Sequence, residues 1–138
     1  MTAQYLLDTN HFSGLWREQP PVVDRLTAQP TAHFVVSLPS VGELWFMVFH
    51  SARVAANRRR LATLLGDFEL LDFDRSAAVE FGRIKAELSR RGTIIPDVDL
   101  QIAAIARTHG LVLLTADAHF THVSGLITED WSVPPGSR

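Results

Sequence analysis

Leu111-Val112-Leu113-Leu114-Thr115-Ala116-Asp117 decides the fold. Apolar residues follow one another here without polar alternation, the pattern of a strand buried on both faces, and such strands belong to parallel sheets covered by helices. The run stops at an acid. Tyr5-Leu6-Leu7-Asp8-Thr9-Asn10 repeats the arrangement near the amino terminus, ending in residues that favour turns and helix caps. Phe34–Val36, closed by Ser37, and Phe68–Phe73 supply two more strands. Helical patterns lie between them: Ser40–Phe49, Val54–Leu65, Arg75–Arg91 with Ala78, Phe81, Ile84 and Leu88 on one stripe, and an Ile- and Ala-rich stretch over Asp97–Thr108 that Pro96 precedes. Gly66, Gly92 and Gly110 each follow a helical stretch, where a left-handed residue is expected. The whole predicts an α/β fold of three layers, a central parallel sheet flanked by helices.

The chain has 138 residues, 13 basic and 15 acidic, with no Cys. That length predicts one domain, over residues 1–131, followed by a short loose tail, 132–138, that contains Pro134-Pro135-Gly136. Without Cys there is no disulfide framework and no thiolate metal site. The longest apolar run, Leu44–Phe49, falls far short of the roughly 18 residues of a membrane span. Met1–Asp8 meets an acid before a signal-like apolar region can form. The expectation is a soluble cytoplasmic protein, independent of membranes. A net charge of −2 argues against a protein that lives by nonspecific phosphate contacts. The distribution is less neutral: the interval between Glu43 and Asp67 holds no acid but contains Arg53, Arg58, Arg59 and Arg60. Arginine suits bidentate phosphate contacts, though an ordinary solvated helix face accounts for the cluster equally well. Three consecutive residues spread over about 200° of a helix, so these arginines do not all meet one ligand.

In parallel sheets, ligands sit beyond the carboxyl ends of the strands. Asp8 and Asp117 end strands, while Glu43 and Asp99 fall in the first turns of helices, so all four can point to one edge. Each also has a structural explanation. Asp8 can be a turn residue, and Asp117 can cap a short helix through Phe120. Glu43 has the S-x-x-E spacing of a capping box from Ser40, unless the helix starts at Ser37. Of Asp97 and Asp99 one is a natural cap; Asp99, further inside, is the better ligand. Four ionised carboxylates drawn to ~5 Å would repel by about 3 kcal/mol per pair at an effective dielectric of ~20, which a divalent cation relieves directly. An all-oxygen set selects Mg²⁺ or Mn²⁺ over zinc. His119 and His122, three apart, lack a third ligand at zinc spacing, and the other histidines are scattered.

These segments resemble the PIN-domain ribonucleases, in particular the VapC-type toxins of bacterial toxin–antitoxin pairs. Leu6-Leu7-Asp8-Thr9-Asn10 is similar to the opening strand and first acid of that family, Ser40-Val41-Gly42-Glu43-Leu44 to the second-acid helix, and Asp99-Leu100-Gln101-Ile102-Ala103-Ala104 to the third. Leu114-Thr115-Ala116-Asp117 through Phe120 is similar to the last strand and fourth acid, and Val123-Ser124-Gly125-Leu126 with Trp131 to the closing segment. The resemblance implies a PIN-like fold and a metal-dependent endoribonuclease using Mg²⁺ or Mn²⁺. Asp8, Glu43, Asp99 and Asp117 would be its catalytic and metal-binding acids, with Thr9 and Thr115 as supporting polar groups. The fourth position varies between Asp and Asn in the family, which allows contact through water or substrate; Asp97 is read as a cap. Hydrolysis would leave a 5′-phosphate and a 3′-hydroxyl, with Arg53 and Arg58–Arg60 as candidates for the RNA backbone. The resemblance further implies a homodimer and a cognate VapB-type antitoxin whose carboxyl-terminal segment lies across the site. Part of Leu44–Phe49 would then be core and part would meet a partner, with Trp16 and Trp45 as interface candidates.

Two rivals differ in testable ways. An aspartyl-phosphate enzyme wants a second Asp two residues after Asp8, where Asn10 stands, and a late Lys, whereas the single Lys85 lies in a helix. A catalytically silent PIN-fold module that binds RNA or a partner would keep the acids without cleaving.

Overall fold

The computed structural model describes residues 4–134. The elements run β1 (Gln4–Leu7), α1 (Thr9–Trp16), α2 (Pro20–Thr27), β2 (His33–Ser37), α3 (Leu38–Phe49), α4 (Val54–Leu65), β3 (Glu69–Leu71), α5 (Arg75–Arg90), α6 (Asp97–His109), β4 (Val112–Leu114), a 3₁₀ turn (Ala118–His122) and β5 (Thr128–Glu129). The strands form one parallel sheet in the order β3-β2-β1-β4-β5. Chain progression runs one way from β1 to β3 and then resumes on the other side of β1 with β4. The strand order therefore reverses between β1 and β4, where the carboxyl ends of an open sheet leave a crevice.

Period-two alternation divides the core between the two faces. Leu6, Val35 and Leu113 point to the side covered by α5 and α6, where Ile84, Leu88, Ile102 and Ile105 are buried. Tyr5, Leu7, Val36 and Leu114 point to the side of α1, α3 and α4, and pack with Phe12, Leu44, Leu61 and Trp131. The three layers and parallel sheet are those expected. No helix among the described residues is long and apolar enough to cross a membrane.

Several local expectations change. Helices α1 and α2 are additions to the expected pattern: each has only eight residues, a short window in which to read a period, and α2 begins on Pro20-Pro21, fixed at helical φ. The strand expected over Phe68–Phe73 shortens to Glu69–Leu71, and β5 is an added edge strand of two residues. Gly66 is not left-handed: at φ −62° the chain continues into a further turn, closed by Asp67 N–H to Leu64 O and Phe68 N–H to Leu65 O. Gly92 and Gly110 do adopt the left-handed conformation, at φ 69° and 63°. Asp97 is no cap. It occupies the first turn of α6 behind Pro96, and its carboxylate instead receives Lys85 Nζ at 3.0 Å. Of the expected tail, residues 135–138 lie outside the described residues, as do 1–3 of the amino-terminal reading.

Two glycine substitutions test this backbone account. Gly110→Ala places a Cβ on a left-handed residue and should cost about 1 kcal/mol, whereas Gly82→Ala, in the exposed interior of α5 with open space around the new methyl, should gain about as much. Urea unfolding of both variants would show the opposite signs.

Candidate active site

Asp8 stands at the end of β1 and caps α1. Its Oδ1 accepts the Thr9 N–H at 2.8 Å, and its Oδ2 accepts the Thr115 hydroxyl at 2.7 Å and Asn10 Nδ2 at 3.1 Å. Only 2 % of the residue is exposed. The turn-residue explanation is therefore true without being exclusive, since the cap faces the crevice. Glu43 is freed from a capping role because Ser37, not Ser40, caps α3: the Ser37 hydroxyl accepts the Ser40 N–H at 3.3 Å, with Pro39 in the first turn. One turn into the helix, Glu43 Oε1 accepts the Thr9 hydroxyl at 2.5 Å. Asp99 lies in the first turn of α6, where the helix dipole favours a negative charge. Asp117 precedes the 3₁₀ turn without capping it through its side chain, and its Oδ2 receives Asn10 Nδ2 at 3.4 Å.

All four acids line one cleft of about 260 Å³, together with Thr9, Asn10, Ser13, Arg17 and Met47. Thr115, buried beneath the cleft, also accepts the Asp117 N–H at 3.0 Å. Thr9 and Thr115 thus each donate a hydroxyl to one of these acids, Glu43 and Asp8 respectively. Among the described residues, no three His, Asp or Glu side chains stand close enough to enclose an ion without moving. The four carboxylates and the Thr9 and Ser13 hydroxyls nonetheless offer oxygen donors, the chemistry that hard divalent cations take.

The electrostatics reflect the crowding. Burial pushes the Asp8 carboxyl up to about 6; the bonds from Thr115 and Thr9 pull against that rise, while the charges of Asp99 and Asp117 add to it. Burial also raises Asp99, opposed by His119 and reinforced by Glu43 and Asp117. His119 Nε2 lies 3.0 Å from Asp99 Oδ2, near enough for an ion pair when the ring is charged.

Four site residues were not legible in the sequence. Asn10 sits on, and Arg17 just after, a helix too short to be recognised, and His119 reaches Asp99 across twenty residues of chain. His11 is wholly buried, its Nε2 accepting the Trp131 backbone N–H at 2.8 Å, and burial pushes it down to about 4. The arginine group divides. Arg59 and Arg60 line a groove beside Trp16, and Arg60 donates to Trp16 O at 3.0 Å; Arg53 and Arg58 line neither this groove nor the cleft. Leu44 and Val48 are core, while Phe46 and Phe49 are 66 % and 60 % exposed; Trp16 and Trp45 are half-buried.

Residues 5–126 match the PIN domain family, the class that this sheet and cleft define. The chain is 33% identical over 129 residues to ribonuclease VapC2 of Haemophilus influenzae, covering 93% of this chain and 98% of the relative. It is 31% identical to a tRNA(fMet)-specific endonuclease VapC of Shigella flexneri, over 94% and 98% of the two chains. A solved VapBC2 structure from Rickettsia felis, bound to a DNA fragment from its promoter, superposes with a TM-score of 0.87 at 26% identity, over 93% of this chain and 98% of that one. The chain belongs to the PIN-domain family and, within it, to the VapC ribonucleases.

The two buried titrating groups oppose each other in stability. The native chain holds the Asp8 proton more tightly than the unfolded chain, so stability falls as pH rises from about 3.8 to 6. His11 works the other way: the unfolded chain takes up a proton below 6.5 that the native chain refuses until about 4, so stability rises over that window. Each effect is on the order of 3 kcal/mol. Metal-free protein should therefore show a shallow profile between pH 4 and 6.5 in urea titrations. Asp8→Asn should expose the His11 rise and His11→Gln the Asp8 fall; two variants with the wild-type slope would contradict this balance.

Proposed function

We propose that this protein is the toxin of a toxin–antitoxin pair, a Mg²⁺- or Mn²⁺-dependent endoribonuclease that acts on cytoplasmic RNA. The observation that carries this reading is the convergence of Asp8, Glu43, Asp99 and Asp117, from four separate elements, on one cleft at the strand-order reversal. Asp8, Glu43 and Asp99 would hold the ion, with Asp117 completing the rim; when bound, the ion supplies an activated water and offsets charge developing on the phosphorus oxygens.

The protein's own side chains prepare that chemistry. Thr9 N–H and Thr115 fix both oxygens of Asp8, and the Thr9 hydroxyl fixes one of Glu43, so these two carboxylates keep their orientation while the set draws together around a cation. Arg17 is the cationic member of the cleft lining and suits a phosphate on the approaching strand. A groove continues from Arg17 and Met47 past Trp16, His50 and Asn57 to Arg60, offering aromatic and guanidinium surfaces to a single-stranded segment. Within the expected arginine group, Arg60 lines this groove and Arg59 the adjoining one beside Trp16, which supports these two as the candidates for backbone contact. The Shigella and Salmonella relatives named as tRNA(fMet)-specific endonucleases make initiator tRNA the first substrate to assay. Solved VapBC complexes among the relatives support a VapB-type antitoxin as partner, and the exposed Phe46 and Phe49 suit burial against it or against a second copy in a homodimer.

Purified protein should cleave RNA with Mg²⁺, lose cleavage in EDTA and regain it on adding excess Mg²⁺. Asp99→Asn should lower the rate by about 100-fold or more, beyond the 10–100-fold typical of groups that only support a ligand. Cleavage indifferent to both treatments would defeat the reading, and RNA binding without cleavage would favour a silent binding module. Replacing Arg59 and Arg60 by Ala should flatten the salt dependence of RNA binding by about one unit of slope per lost phosphate contact.

A further inference from the structure

We propose that His11, held as the neutral Nδ1–H tautomer by the Trp131 main chain, is a positioning residue that aims the Asn10 amide at Asp8 and Asp117. The inference rests on the reading of this cleft as the cleavage site. The His11 ring is fully buried, and nothing in the metal chemistry calls for it. Its Nε2 accepts the Trp131 N–H at 2.8 Å and so carries no proton; the proton of a neutral ring is then on Nδ1, which donates to Asn10 Oδ1 at 2.7 Å. Burial, which depresses the basicity of the ring, keeps it neutral at working pH.

Asn10 Oδ1 also accepts the Ala116 N–H at 3.2 Å. Two donors on one side of the amide settle its orientation, and the NH₂ end must face the acids. Nδ2 then lies 3.1 Å from Asp8 Oδ2 and 3.4 Å from Asp117 Oδ2, with Thr115 Oγ1 at 3.5 Å. The two amide protons span the carboxylates at the ends of β1 and β4, which would otherwise meet only as like charges. The relay also ties the segment after β5 to the cleft, since the tautomer depends on a main-chain N–H of that segment.

Substitution separates the two ring nitrogens. His11→Gln keeps an acceptor near the Nε2 position and loses the donor to Asn10; His11→Asn keeps a donor near Nδ1. His11→Gln should lower kcat by about 10–100-fold, the range for a group that orients a ligand, with KM for RNA little changed. His11→Asn should recover most of that loss although it melts no higher than His11→Gln. In an Asn10→Ala background, His11→Gln should cost nothing further. Losses that add in the double variant would overturn the proposal, as would a His11→Asn protein no better than His11→Gln. Nitrogen-15 NMR of the histidine rings in the full chain decides it without any turnover: the expected spectrum has His11 protonated on Nδ1, and protonation on Nε2 would overturn the assignment. Wild-type protein that shows the Nδ1–H ring but neither cuts RNA nor binds Mn²⁺ in calorimetry would count against the cleavage reading and leave the positioning of Asn10 established.

Discussion

The buried carboxylate of Asp8 is the constraint on which the rest of the structure depends. A charged group taken out of water needs hydrogen-bond partners, or it protonates or unfolds the site. Asp8 finds its partners in three places: the first turn of α1, the Asn10 side chain and the hydroxyl at the end of β4. Those bonds hold β1 and β4 in register at their carboxyl ends, where the Asp8 N–H also donates to Leu114 O at 2.9 Å. The remaining desolvation is left standing and raises the Asp8 carboxyl to about 6; under the metal-dependent function proposed above, uptake of positive charge would relieve it.

Around that point the two apolar faces of the sheet act as jigs. On one face α6 brings Asp99 to the cleft because its Ala103, Ala104 and Ala106 allow close packing against the sheet and α5. On the other, Leu44 and Val48 seat α3 so that Glu43 projects towards Thr9. Trp131 closes this second face against Tyr5 and Phe34, with ring centroids 4.9 and 5.9 Å away. The closing segment is thus held by aromatic packing, and its main chain is free to serve His11.

Legibility followed the range of the forces involved. Strands buried on both faces write their burial directly as apolar runs, so four of the five strands and the acids after two of them could be read in order. Asp99 was readable because Pro96 and the Ile/Ala pattern mark the start of α6. Glu43 was ambiguous, since Ser37 and Ser40 are both competent caps and only Pro39 in the first turn and the Ser37–Ser40 bond decide between them. The short α1 and α2 were hidden by their length, and α1 also carries Gly14, beside Gln19 and Val22, a residue that local helix propensity disfavours. Asn10, His11 and His119 owe their roles to partners 105 to 120 residues away or across an element boundary, which no local pattern encodes.

The outer margins of the sheet have their own consequence. β3 and β5 have three and two residues, and each presents a glutamate, Glu69 and Glu129. A strand so brief and so charged makes a poor template for the backbone of another molecule, so sideways accretion into fibrils is discouraged at both ends of the ladder. A catalyst built on an open sheet can in this way accumulate to high local concentration and stay dispersed.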